Sequence, residues 1–220
     1  MRKSNLWYKQ LCNIFLFFLL VILVSGCGKR EIVNVGSKGK NIICFGDSIT
    51  YGYGAEPQES YPSVLAKISG FPVINAGIDG DTSASGLKRI DRDVLSKNPL
   101  LVIIEFTGND FLKKVPLGQT ADNIREMIDV IQKKGAMVAI VDISAGLLLK
   151  DYRPLLHKIS KEKKAIFIPS ILSGIVTNPS MKSDFLHPNG NGYKIIAQRI
   201  YKKILIPLKE NETLTTPEKL

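Results

Sequence analysis

Ser48 stands in Phe45-Gly46-Asp47-Ser48-Ile49-Thr50, directly after a short apolar run. A serine hydroxyl is a poor nucleophile until a base takes its proton. The chain has two histidines to offer. His157 sits between Leu156 and Lys158 with no acid at helpful spacing, and reads as an ordinary helix residue. His187 sits in Asp184-Phe185-Leu186-His187-Pro188-Asn189. On a turn, Asp184 can reach back to the Nδ1–H of His187, hold the tautomer in which Nε2 is free, and steady the cation that forms. Each stretch also has a plainer reading. Gly-Asp-Ser is common turn chemistry, and Asp-x-x-His-Pro can be a turn with a helix cap.

Attack on a carbonyl builds negative charge on its oxygen, and N–H donors aimed there in advance commonly matter most. Two further stretches carry such donors: Asn75-Ala76-Gly77-Ile78-Asp79-Gly80-Asp81-Thr82 and Thr107-Gly108-Asn109-Asp110. The Gly80 N–H has no side chain in its way, the Asn109 amide can add a second donor, and the Ser48 N–H a third. Taken singly, these are a glycine turn and an Asn-Asp loop.

What must position these residues is an alternation of apolar patterns. Short β-rich runs are expected at residues 41–45, 72–76, 100–106, 136–143 and 165–169. Between and after them, apolar residues at helical spacing predict helices over 61–69, 83–96, 120–134, 152–164 and 192–206. This order implies βαβ units and a parallel sheet with helices on both faces, an α/β/α sandwich. In such a sheet the chemistry belongs at the carboxyl ends of the strands. The stretches holding Ser48, Gly80 and Asn109 follow the first, second and third strands, and the histidine with its acid comes just before the last helix.

Together these blocks resemble the SGNH hydrolase family, also called GDSL esterases. The likeness is carried by Gly46-Asp47-Ser48, by Gly80 within Gly80-Asp81-Thr82, by Gly108-Asn109-Asp110 and by Asp184-x-x-His187, and it spans residues 41–208. Residues 75–83 with Gly86-Leu87, and 105–110, are similar to the bacterial arylesterase, thioesterase and lysophospholipase branch. The resemblance implies a flavodoxin-like five-stranded parallel sheet, no metal or other cofactor, and hydrolysis of esters or thioesters. Ser48 would be nucleophile, His187 base and Asp184 its orienter, with Ser48, Gly80 and Asn109 forming the oxyanion hole. The first block reads Gly-Asp-Ser-Ile where the family name has Gly-Asp-Ser-Leu, a conservative departure. Since the base must be neutral imidazole, activity should fall on acidification near the usual histidine value of about 6.5.

Phe111 and Leu112, followed by Lys113 and Lys114, sit where the related branch has a mobile substrate loop. The apolar pair is expected to meet an acyl chain, and the lysines an acidic head group; a routine surface loop is the other reading. Within hydrolases the main alternative is removal of acetyl groups from envelope or dietary polysaccharide. In a different class stands a non-catalytic binding lipoprotein with a flavodoxin-like sheet. Yet no G-x-G-x-x-G or G-x-x-x-x-G-K-[ST] is present to cradle a phosphate.

The chain begins with residues that are not read as fold. Residues 1–10 are basic, 14–24 are an unbroken apolar run, and Ser25-Gly26-Cys27 follow. This is the layout of a secretory signal, and Val24-Ser25-Gly26-Cys27 resembles the bacterial lipobox, in which the cysteine is acylated. The expected organisation is a lipoprotein signal peptide over 1–26, lipidated Cys27 and a flexible tether over 27–40, the hydrolase domain over 41–208, and a polar, frayed tail over 209–220. Such a chain is exported and held on a membrane, on the periplasmic or outer face, as a monomer. Cys27 being lipidated and Cys44 lying in an apolar run, no disulfide is expected.

Composition agrees with one globular domain: 220 residues, 45% hydrophobic and 23% charged. The formal charge is +10; the first 26 residues hold three of the positives and no acid, leaving +7. That surplus favours anionic surfaces such as membranes. Without an aromatic-interleaved basic motif or zinc spacing, nucleic acid is not the expected partner.

Overall fold

The computed structural model describes residues 31–147 and 149–216. Five parallel strands form one sheet in the order β2-β1-β3-β4-β5: β1 Asn41–Gly46, β2 Val73–Gly77, β3 Pro99–Glu105, β4 Met137–Val141 and β5 Ile166–Ile168. The helices are α1 Ser48–Tyr51, α2 Tyr61–Ser69, α3 Ser83–Asp93, α4 Thr107–Leu112, α5 Leu117–Lys133, α6 Tyr152–Glu162 and α7 Gly190–Thr215.

A strand covered on both faces has no use for polar alternation, and β3 is buried at all seven positions. Side-chain parity divides its neighbours between two cores. Ile42, Cys44, Leu101, Ile103 and Ala139 pack under Tyr61 and Leu65 of α2 and Tyr193, Ile196, Ile200 and Ile204 of α7. On the other face, Ile43, Phe45, Val102, Ile104 and Val138 meet Ile90 of α3, Ile124, Met127, Ile128 and Ile131 of α5, and Leu156 and Ile159 of α6. The result is the expected three-layer α/β/α arrangement, and Cys44 is a free, buried thiol. Burial pushes that thiol up to about 12, so it behaves as a small apolar side chain.

The sheet order reverses at β1, whose neighbours are β2 and β3. Register aligns Gly46 with Gly77 on one side and with Glu105 on the other, so the three strand ends that matter finish level. Gly46 is glycine because of crowding: a Cβ there would fall on Thr50 Oγ1 and the Glu105 carbonyl oxygen. Arg89, 8% exposed, ties the strand ends to α3. Its guanidinium donates to the carbonyls of Gly46 and Ala76 (3.1 and 2.9 Å), pairs with Asp81 and Asp93 (2.6 and 3.0 Å), and lies 4.5 Å over the Phe45 ring.

Two flanking segments differ from expectation. Residues 32–40, read as part of a flexible tether, are docked: Asn34 Nδ2 donates to the carbonyls of Gln132 and Ala136, Val33 N to Lys164 O, and Ile32 and Val35 lie against the core. The polar tail after residue 208 continues α7 through Pro207 as far as Thr215. Its anchor is Asn211, 5% exposed, whose amide donates to the carbonyls of Val35 and Ser37 at 2.7 and 2.8 Å. Each segment thus satisfies polar groups of the other, a long-range pairing that no local pattern announces. The signal sequence, Cys27 and the last four residues lie outside the described residues.

Candidate active site

Ser48 is the first residue of α1, a single turn that begins directly after β1. Asp47 caps it, accepting the Ile49 N–H on Oδ1 at 3.1 Å. Gly52, at φ 97°, ends it in a left-handed conformation that favours glycine. Held this way, Ser48 is 7% exposed and points to the carboxyl edge of the sheet.

His187 comes from the loop before α7. The Asp184 carboxylate organises that loop: Oδ1 accepts the N–H groups of Leu186 and His187 at 2.7 and 2.8 Å, and Oδ2 lies 2.8 Å from His187 Nδ1. Burial would raise the Asp184 carboxyl, but the His187 ring and these two N–H groups outweigh it and bring it down to about 2. His187 Nε2 is 3.1 Å from Ser48 Oγ, 139 residues away in sequence. The ring of Tyr53 packs on His187 with centroids 4.5 Å apart, and Tyr193 Oη donates to the Tyr53 carbonyl at 2.8 Å. Asn189 caps α7 through Asn191 N and Gly192 N, which fixes where the loop rejoins the helix.

The donors expected beside the serine are placed unevenly. Asn109 lies in the first turn of α4, a six-residue helix too short to show a period in the sequence. Its Nδ2 is 3.3 Å from Asp47 Oδ2, and since an amide nitrogen carries two hydrogens, one N–H stays available. Gly80, at φ 77°, occupies the tight turn between β2 and α3; Lys113 Nζ donates to its carbonyl at 2.8 Å. That contact commits one of the lysines expected to meet a head group. His157, in α6, lies against Phe167 of β5 with ring centroids 5.0 Å apart, and is not part of this constellation.

A cavity of about 440 Å³ opens beside Ser48, Asn109 and His187. Its walls are mainly apolar: Phe111, Leu112, Ile143, Leu149, Leu172, Val176 and Leu186, with Phe185 at 81% exposure. Both Phe111 and Leu112, the expected substrate contacts, are among them; Gly80 is not, although Asp79 is. Among the described residues no group of three or more His, Cys, Asp or Glu side chains is set to hold a metal ion.

Residues 44–195 match the model of the GDSL-like Lipase/Acylhydrolase family. This chain belongs to that family. It is therefore an ester-hydrolysing enzyme with the fold the family implies. Esterase TesA of Pseudomonas aeruginosa is 28% identical over 178 residues, covering 76% of this chain and 89% of the relative. Thioesterase 1/protease 1/lysophospholipase L1 of Escherichia coli is 26% identical over 174 residues, 74% and 82% of the two chains. The crystal structure of the psychrotrophic esterase EstA from Pseudoalteromonas sp., inhibited by monoethylphosphonate, superposes with a TM-score of 0.70 at 25% identity, covering 77% of this chain and 99% of that one.

Sequence reasoning missed Asp47, Glu105, Tyr53 and Arg89. The signal for Glu105 was present, as a lone acid at the end of a seven-residue apolar strand.

Proposed function

We propose that this enzyme is a serine esterase acting on carboxylic esters and thioesters with extended acyl chains, through an acyl-enzyme on Ser48. The observation that carries the reading is the hydrogen-bonded series Ser48 Oγ, His187 Nε2, His187 Nδ1, Asp184 Oδ2, which opens on an apolar cavity. Ser48 attacks the acyl carbon while Nε2 takes its proton. The oxyanion is met by the Ser48 and Gly80 N–H groups and by the free N–H of Asn109. His187 returns the proton to the departing alcohol or thiol, and water repeats the sequence on the acyl-enzyme.

Chain length follows from the cavity. Each buried methylene contributes about 0.8 kcal/mol, so roughly two of them make a tenfold difference. Rates on acetyl, octanoyl and palmitoyl esters of one alcohol test this with the wild type and Ser48→Ala. The expected result is a kcat/KM for octanoyl well above that for acetyl, absent in Ser48→Ala. A preference for acetyl would instead support removal of acetyl groups from polysaccharide. The same reading has Cys27 acylated and the enzyme exported and membrane-bound, supported by the basic start, the apolar run and the Val24-Ser25-Gly26-Cys27 motif. Metabolic labelling with a fatty acid should mark the wild type and not Cys27→Ala; equal labelling would contradict the anchor.

A further inference from the structure

Next to the serine, Asp47 meets a second buried acid, Glu105. Glu105 ends β3 and is 1% exposed. Parity with Leu101 and Ile103 turns it to the sheet face covered by α2 and α7. Oε2 accepts the Thr50 hydroxyl at 3.1 Å, and Thr50 Oγ1 is 3.0 Å from Tyr61 Oη. Oε1 is fully enclosed, yet among the described residues no hydroxyl or N–H group donates to it. What lies against Glu105 is the carboxyl of Asp47, itself 1% exposed.

Two buried carboxylates in contact cannot both be ionised without a large penalty, so such a pair keeps a proton. Burial, and next the facing Asp47 charge, push Glu105 well above the ordinary carboxylate range. Asp47 is raised by burial too, but the Ile49 N–H and the Asn109 amide donate to it and favour its charged form. The other titratable groups facing the pair are Tyr61 of α2, which adjoins Cys44 of β1, and Tyr193 of α7, all neutral. The proton therefore belongs on Glu105.

We propose that Glu105 is a positioning residue: as a neutral acid it donates to Asp47, and so fixes the carboxylate that holds the Ile49 N–H and the Asn109 amide. Through Asp47 it sets where Ser48 and the Asn109 donor stand relative to each other. This rests on the assignment of Ser48 and Asn109 above, and one arm of the test is independent of it.

Glu105→Gln keeps the shape, a donor toward Asp47 and an acceptor for Thr50; Glu105→Ala removes all three. On the best ester of the panel, Glu105→Gln should keep kcat within about threefold, and Glu105→Ala should lose roughly tenfold or more in kcat with KM little changed. Wild-type kcat in Glu105→Ala, or a Glu105→Gln as impaired as Glu105→Ala, would overturn the proposal. The independent arm is infrared spectroscopy at about pH 8, where ordinary carboxyls are ionised. The wild type should show a protonated-carboxyl stretch that Glu105→Gln lacks. Its absence from the folded wild type would overturn the proposal whatever the enzyme hydrolyses. Its presence beside an unreactive Ser48 would instead retire the esterase reading. Should Glu105→Ala fail to fold, the glutamine variant and the infrared band decide.

Discussion

Asp110 takes both the N–H and the hydroxyl of Ser83, on Oδ1 at 2.8 Å and on Oδ2 at 2.5 Å. The first residue of α3 is thereby fastened to the helix that carries Asn109, and the Gly80 turn is held beside it. Thr120 adds its hydroxyl to Oδ2 at 2.6 Å, and Asn123 Nδ2 reaches Ser83 Oγ at 2.8 Å. Asp110 is fully buried, so its oxygens have no water to fall back on.

Asp110→Ala would leave the Ser83 and Thr120 donors buried without their acceptor. Each such loss costs about 1–3 kcal/mol, so the variant should lose a few kcal/mol in denaturant unfolding. Since the same acid aligns two of the proposed oxyanion donors, its kcat should fall further than its KM changes. A stability within about 0.5 kcal/mol of the wild type would show that the link is unimportant.

Asp184→Asn separates orientation from loop structure. Asparagine can still accept the Leu186 and His187 N–H groups on its oxygen, but it presents an amide N–H to Nδ1 and favours the wrong tautomer. We expect kcat to drop about 10²- to 10⁴-fold with the fold intact. The carboxylate itself, brought down to about 2 from 3.8, stabilises the folded chain above its unfolded value; that contribution disappears as pH falls from near 3.8 toward 2. Acid unfolding in this window should be less steep for Asp184→Asn than for the wild type.

The sign is opposite for Glu105. Its folded value lies well above the ordinary 4.5, so the unfolded chain releases its proton first. Folded stability is then fully present below about 4.5 and erodes as pH rises toward the folded value. Glu105→Gln removes this dependence. Its thermal midpoint relative to the wild type should rise progressively between acid and mildly alkaline pH. A difference that stays constant with pH would mean that Glu105 is ionised in the native chain.

The strands and main helices were legible because both faces of the sheet demand apolar residues at fixed periods. Residues 61–69 form the helix their spacing predicts, and each strand begins and ends within two residues of expectation. The exceptions are elements held from elsewhere. The turn that carries Asn109 is six residues long; the end of α7 survives Pro207 because Asn211 serves Val35 and Ser37. Ser48, Asp184 and His187 could be singled out because their chemistry restricts residue type and order. Glu105 showed only as a lone acid closing an apolar strand; that it faces Asp47, one residue beyond its register partner Gly46, is revealed only by the folded strands.

Ester hydrolysis by this site requires that Ser48 be an activated nucleophile. Incubation with a fluorophosphonate probe, followed by mapping of the modified peptide, reads this directly. Labelling on Ser48 in the wild type, lost in Ser48→Ala and slowed in Asp184→Asn, is the predicted result. A wild-type enzyme that hydrolyses esters while Ser48 stays unmodified, or a Ser48→Ala variant that keeps full activity, would contradict it.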